Sequence, residues 1–339
     1  MPACHPTLLI PALRPHADGG ELPERLPALE TLLSRADRAG PPAPGREASL
    51  FALFDASFDD ARDLPVATVS YAADTGSPPA GPCLRADPVH LLPDRDQLVL
   101  LDAASLDLRE AEAEALLAEL NAVYAEEGWR FEAPCEDRWY LHLAEQPRLK
   151  TWPLSAVNGR PIGQCLPGGE QGKTWHVVMN EIQMLLHGSG VNRQREAEGR
   201  LAVSGLWFWG GGEAPVLPGP RWARVWSGDP VASGLALLAG AAHEPLPADA
   251  PAWLSRAGGG GEQLLVLDAL DAALRQGGEA WWAALQAFER QWIEPLLTAL
   301  RDKRIDSLSL DDAEGRRYRL TRRGLRRWWR RRQPLSRYR

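Results

Sequence analysis

Short apolar runs alternate with stretches of helical period along most of this chain, and that alternation leaves few architectures open. Residues 7–10, 97–101, 129–131, 139–143, 201–209 and 264–267 have the length and composition of strands. Leu26, Leu29, Leu32 and Leu33 stand at helical spacing, so a helix is expected over 26–38. Asp107 is positioned to cap a second helix over about 109–126, with Leu116, Leu117, Leu120 and Val123 inward. Further helices are expected over 175–187, 231–242, 268–276 and 279–302. Residues 305–310 and 316–320 read as a hairpin around a turn at 311–315, and a short basic helix closes the chain. The pattern predicts an α/β fold: a mostly parallel sheet flanked by helices, with a C-terminal β-hairpin and basic helix. We expect one α/β domain over 1–315 with room for an inserted subdomain near 85–150, followed by an Arg-rich strand and helix at 316–339. The Pro-, Gly- and Asp-rich stretch 40–90 has no clear periodicity.

Composition narrows the function classes. Of 339 residues, 45% are hydrophobic and 24% charged, values that exclude a wholly disordered chain or a coiled coil. No run of eighteen apolar residues predicts a membrane span, and no secretory signal is visible, so a cytoplasmic protein is expected. Cys4, Cys83, Cys135 and Cys165 are isolated, with no CxxC pair, so neither a cysteine zinc site nor a disulfide framework is expected. The net charge of −7 conceals a split: residues 316–339 hold twelve arginines and no acid. Taking those twelve from the 38 basic residues leaves 26 against 45 acids, a body of net charge −19. The basic tail has two readings. In one, Arg322, Arg323, Arg326, Arg327, Arg330, Arg331 and Arg332 bind nucleic acid or an anionic surface, with Trp328 and Trp329 as stacking groups. In the other, which the acidic body favours, the tail packs on the body and its arginines meet surface acids.

Pro167-Gly-Gly-Glu-Gln-Gly-Lys173-Thr174 imitates a phosphate-binding loop. Its first position is proline, which has no N–H and cannot take the positive φ open to glycine. Counting from Gly168 leaves the loop one residue short. A glycine-rich turn into a helix is the expected reading. No GxSxG elbow and no HExxH pattern occurs. His176 and His187 lie about 16 Å apart along a helix, too far for one ion.

The densest polar constellation spans 180–212. On a helix, Asn180, Gln183, Met184 and His187 share a face, with Glu181 beside them. Asn192, Arg193, Arg195 and Glu196 follow, then Trp207 and Trp209. Amides and an imidazole are costly to bury without partners. One reading is a polar pocket for a small anion, with Arg193 or Arg195 as the bidentate group. The other is an internal network in which either arginine pairs with Glu181 or Glu196. No catalytic residue, metal ligand or cofactor is assigned.

The string Val191-Asn192-x-x-Arg195-x-x-x-Gly199, followed by Trp207-x-Trp209-Gly210-x-Gly212-x-x-Pro215, resembles the archaeal-type cofactor-independent phosphoglycerate mutases of the alkaline phosphatase superfamily. With Asn180-Glu181-x-Gln183-Met184-Leu185-Leu186-His187 ahead of it, it resembles more closely a bacterial group of RpfE-type regulatory, phosphoglycerate mutase-like proteins. Asp87-Pro88-Val89-His90-Leu91 and Arg138-Trp139-Tyr140 are similar to that group too. The resemblance implies a degenerate alkaline-phosphatase-like fold. Mutases of that superfamily hold two metals through an early Asp-Gly after the first strand and late aspartates and histidines, beside a serine or threonine nucleophile. Here Leu8–Ile10 runs into Pro11-Ala12-Leu13, only His243 remains beyond residue 212, and Asp268 and Asp271 lack a neighbouring Gly-His. The leading expectation is therefore a non-catalytic or regulatory protein with a pocket or structural hub at 180–212. The alternative is a metal-dependent phosphoglycerate mutase or phosphatase.

Overall fold

A computed structural model describes residues 3–14, 25–40, 43, 45–58, 63–258 and 260–338. Its strands, in chain order, are β1 (Cys4–Leu9), β2 (Asp37–Arg38), β3 (Cys83–Asp94), β4 (Gln97–Leu101), β5 (Arg130–Cys135), β6 (Arg138–His142), β7 (Gly205–Trp209), β8 (Arg224–Trp226), β9 (Ala242–Glu244), β10 (Gly261–Val266), β11 (Ser307–Asp311) and β12 (Arg317–Thr321). The chain divides into two compact units, one of residues 1–55 with 217–339 and one of 56–216. Residues 85–150, where an insertion was expected, lie wholly in the second.

The first unit carries the mostly parallel sheet, in the order β2-β12-β11-β1-β10-β8-β9. β1 lies parallel between β10 and β11, and β8 and β9 continue parallel outward. Among the described strands of this sheet only β12 runs against the rest, antiparallel to both β11 and β2, and β11 with β12 forms the expected hairpin. The apolar halves of the central strands, Leu8–Leu9 and Leu264–Val266, are buried on both faces. Leu8, Ile10, Leu265, Leu308 and Leu310 join one core with Trp253, Trp292, Leu296 and Leu300. The alternate residues Leu9, Leu264 and Val266 are equally buried and point to the opposite face.

The helix expected over 279–302 is present as Gly278–Phe288 and Glu294–Arg301, joined by a π turn at Glu289–Ile293. Pro295 accounts for the turn: it has no N–H for the ladder, and its ring would strike the carbonyl four residues back. Glu289, in that turn, is buried, and its carboxylate accepts from the backbone N–H groups of Ala28 (2.8 Å) and Leu29 (2.9 Å). Those amides open the helix Pro27–Arg35, whose own flanking residue Leu26 offers no side-chain cap. Glu289→Ala should therefore destabilise the chain by about 1–2 kcal/mol, the cost of a lost cap. A urea titration reads this directly; an unchanged midpoint would contradict the assignment.

The second unit holds an antiparallel sheet, β4-β3-β6-β5 with β7 also on β3. Its long strand β3 begins within the Pro-, Gly- and Asp-rich stretch 40–90 that shows no clear periodicity, and it carries Pro88 and Pro93. Helices Val66–Thr75, Glu110–Tyr124, Gly172–His187 and Gly190–Ala197 complete it. The cap expected of Asp107 comes instead from Glu112, which accepts from the Arg109 N–H at 3.0 Å. At the C-terminus the basic helix shrinks to Arg322–Leu325 and a 3₁₀ turn at Leu335–Tyr338. Consecutive arginines repel at helical spacing, and Pro334 bars continuation. Among the described residues no helix is long and apolar enough to cross a membrane. Burial pushes the thiols of Cys4 and Cys83 up to about 11 and about 12, so both sit as inert apolar groups.

Candidate functional site

The helix Gly172–His187 buries Trp175, Met179, Ile182 and Leu186. Its opposite face, with Asn180, Glu181, Met184 and His187, is exposed, and Gln183 is half-buried. The expectation that these polar groups need internal partners is thus corrected: Asn180, Glu181 and His187 are open to solvent and are not buried. A period of 3.6 identifies two faces but not which medium the polar one meets.

Chain direction then reverses. Ser189 is buried and caps the helix Gly190–Ala197 by accepting from the Val191 N–H. Asn192, also buried, donates through Nδ2 to the carbonyls of Leu186 and Val203, both at 2.8 Å, and accepts from the Val203 N–H at 2.8 Å. It ties the end of one helix to the strand lead that follows the next. Arg195 is fully buried. It donates to the Leu201 carbonyl at 2.9 Å, to the Leu106 carbonyl, and to the carboxylate of Glu112. Glu112 is shared with Arg200. Burial alone would raise the Glu112 carboxyl, but the hydrogen bonds and charges of Arg200, the Arg109 N–H and Arg195 bring it below its ordinary value. Glu112, not Glu181 or Glu196, is therefore the arginine's partner, and both Arg193 and Glu196 are exposed.

Trp207 and Trp209 are buried in β7. The Trp207 indole donates to the Trp152 carbonyl at 2.9 Å and the Trp209 indole to Asp87 at 2.6 Å. Asp87 also accepts from Arg85 through Nε (3.0 Å) and a terminal nitrogen (2.6 Å). The Arg85 guanidinium lies 5.4 Å from the ring centres of Tyr140 and Trp209. Tyr140 and Arg138 in turn hold Asp74. Asp87, Arg138, Tyr140 and Trp209, separated by up to 122 positions in sequence, thus meet in one buried lattice around Arg85. Sequence reasoning missed Arg85 and Asp74, which stand outside every motif.

The imitation phosphate loop is closed on itself. Gly168 exchanges hydrogen bonds with Lys150, and the Gly172 N–H donates to the Gly169 carbonyl. A Cβ on Gly172 would stand 2.7 Å from the Pro167 carbonyl oxygen, so there is no cradle for a phosphate. A cleft of about 390 Å³ beside it is lined by Asp63, Leu84, Arg148, Lys150, Gly169 and Gly211, none of them a candidate site residue named from the sequence.

In the first unit, the carboxyl ends of β1, β8, β10 and β11 share one edge, the place where open α/β sheets bind ligands. Four aspartates stand there. Asp229, three residues past β8, caps the helix Pro230–Ala239 and pairs with Arg46. Arg46 also lies 3.9 Å from Asp268, just past β10. Asp312 is fully buried and pairs with Arg14, which reaches Glu314 at 3.0 Å. Asp311 pairs with Arg317 at 2.9 Å. Among the described residues no three Asp, Glu, His or Cys side chains are grouped to hold a metal ion. The described residues do not fit the pair of divalent ions that the mutase resemblance implies: Asp229, Asp311 and Asp312 each pair with a guanidinium, and Asp268 lies 3.9 Å from one.

No family model matches the chain. Over 157 residues it is 27% identical to a probable 2,3-bisphosphoglycerate-independent phosphoglycerate mutase of Geobacter sulfurreducens, a stretch covering 45% of this chain and 38% of that protein. Over 116 residues it is 27% identical to the 2,3-bisphosphoglycerate-independent phosphoglycerate mutase of Methanosarcina barkeri, covering 34% and 29%. The matched stretches thus span well under half the length of these curated relatives. Among solved structures, the PH0037 protein of Pyrococcus horikoshii aligns over 94% of this chain and 87% of its own, with a TM-score of 0.56 at 11% identity, a likeness of fold alone. The chain's relatives in sequence are cofactor-independent phosphoglycerate mutases, of the alkaline phosphatase superfamily.

Proposed function

We propose that this chain is a non-catalytic, regulatory protein of the RpfE type, acting in the cytoplasm on a phosphoglycerate-mutase-like fold, with 180–212 as a structural hub rather than a pocket. One observation carries the reading: at the carboxyl edge of the parallel sheet, Arg14, Arg46 and Arg317 sit on the aspartates. Two-metal phosphoryl transfer needs such carboxylates free to bind cations, and a guanidinium supplies the positive charge without a Lewis acid or an activated oxygen. At 180–212, Arg195 is engaged by Glu112 and two carbonyls, which leaves a small anion only the exposed Arg193 to meet.

The competing reading is a metal-dependent phosphoglycerate mutase or phosphatase, and the sequence matches favour it. The two separate in one assay. The purified chain is mixed with phosphoglycerate and manganese or magnesium, and its melting temperature is followed as manganese is added. The expected result is no interconversion above buffer and no stabilisation by manganese, since only a ligand that binds the folded state raises the midpoint. Turnover that a chelator abolishes would establish the mutase instead.

A further inference from the structure

The Arg-rich C-terminal segment is pinned to the first unit at both ends. Arg327 grips Asp37 with two hydrogen bonds, at 2.6 and 2.8 Å, and Arg330 adds a third at 3.2 Å together with one to the Ala36 carbonyl. Arg35 donates to the Leu325 carbonyl, the Gln333 N–H donates to Ser34, and Leu335 is buried in the core. Packing on the body, as the sequence favoured, thus accounts for Arg327 and Arg330. It leaves the residues between the anchors unexplained. Trp328 is 78% exposed and Trp329 63%, adjacent and edge-to-face at 6.1 Å. Arg331 and Arg332 are exposed beside them. Two tryptophans held in water by a fixed backbone forgo the burial that their rings would otherwise gain.

Trp328, Arg331 and Arg332 line a cleft of about 510 Å³, within the ~300–1,000 Å³ typical of ligand sites. Trp328 forms one wall, with Arg35, Arg330, Arg331 and Arg332 around it. The carboxylate in the lining, Glu30, is held by Arg25 through two hydrogen bonds at 2.6 Å, so it does not cancel the other guanidinium groups. We propose that this cleft binds single-stranded nucleic acid, with a base stacked on Trp328 and phosphates met by Arg331 and Arg332. Stacking is indifferent to base identity, and guanidinium groups suit phosphate oxygens, so the site binds without sequence preference. A concave site favours a flexible strand over a bilayer. A strand follows the basic strip alone, whereas a flat anionic surface must also approach the acids of a body that carries −19 outside this segment.

The test uses the full chain and a fluorescent oligothymidylate of about fifteen residues, followed by anisotropy from about 50 to 200 mM salt. Binding is expected, with log K falling against log salt at a slope near −1.4, about 0.7 for each of two phosphate contacts. Trp328→Ala should weaken binding about tenfold with an unchanged circular dichroism spectrum. Arg331→Ser with Arg332→Ser should flatten the slope by about 1.4. Three results would each overturn the proposal: no binding at the lowest salt; binding that neither salt nor Trp328→Ala affects; or binding only to phosphatidylcholine vesicles containing phosphatidylglycerol, which would make the cleft a membrane contact.

Discussion

Arg195→Met is expected to cost the folded chain about 3–5 kcal/mol, the range for breaking a buried ion pair from one side. Methionine keeps most of the aliphatic stem, so packing changes little. What disappears is the guanidinium, and three acceptors depend on it: the Leu106 and Leu201 carbonyls and the Glu112 carboxylate. Arg200 still holds Glu112, but the two carbonyls are left without their donor. Because Glu112 has a lowered pKa when folded, its contribution is complete above the unfolded carboxylate value of about 4.3 and fades as pH falls through the folded one. The gap between wild type and variant should therefore narrow in acid, while the part owed to the two carbonyls remains. Arg193→Ala, at an exposed position two residues away, should fall within about 0.5 kcal/mol of wild type. Urea titrations of the two variants separate hub from pocket: a ligand site would tolerate both in the unliganded protein, whereas a hub tolerates only the second.

The contrast between those two arginines marks where sequence reading stops. The helix at 172–187 and the hairpin of β11 and β12 are local, set by spacing and turn chemistry within a few residues, and both are legible. The placement of Arg195 is not. Its partner Glu112 is 83 residues away, on a helix whose own pattern reveals only that Glu112 lies near the N-terminal end. The exposed face of Asn180 and His187 has the same period as a buried one, so only tertiary structure tells them apart. The parallel sheet draws on both ends of the chain, with Cys4 level with Gly261 and Thr7 with Ser309, and no local signal reports such pairing. Arginine at the strand ends is likewise silent in one dimension. Arg14 and Asp312 are nearly 300 residues apart, and in a chain where 35 of 38 basic residues are arginine, neither stands out.

Asp87→Ala should be as damaging as Arg195→Met, again about 3–5 kcal/mol, because it strands a buried cation. Asp87 is fully buried, and Arg85 is nearly so. Without the carboxylate, Arg85 keeps one 3.3 Å hydrogen bond to Ser70 and the faces of Tyr140 and Trp209, and the Trp209 indole loses its acceptor. The near-ultraviolet circular dichroism of the tryptophans should flatten with the loss of that indole hydrogen bond. Removing both charges tests the cause: Asp87→Leu with Arg85→Met should be more stable than Asp87→Ala alone, since no unpaired ion remains. A single variant that cost under about 1 kcal/mol would show that the pair is not what holds β3 against β7. If the expected losses are found, then Asp87 and Trp209 have a sufficient physical role in joining two strands of the sheet. The resemblance of Trp209 to a mutase motif, and of Asp87 to the mutase-like group, would then follow from a shared way of building this unit, with no shared chemistry required.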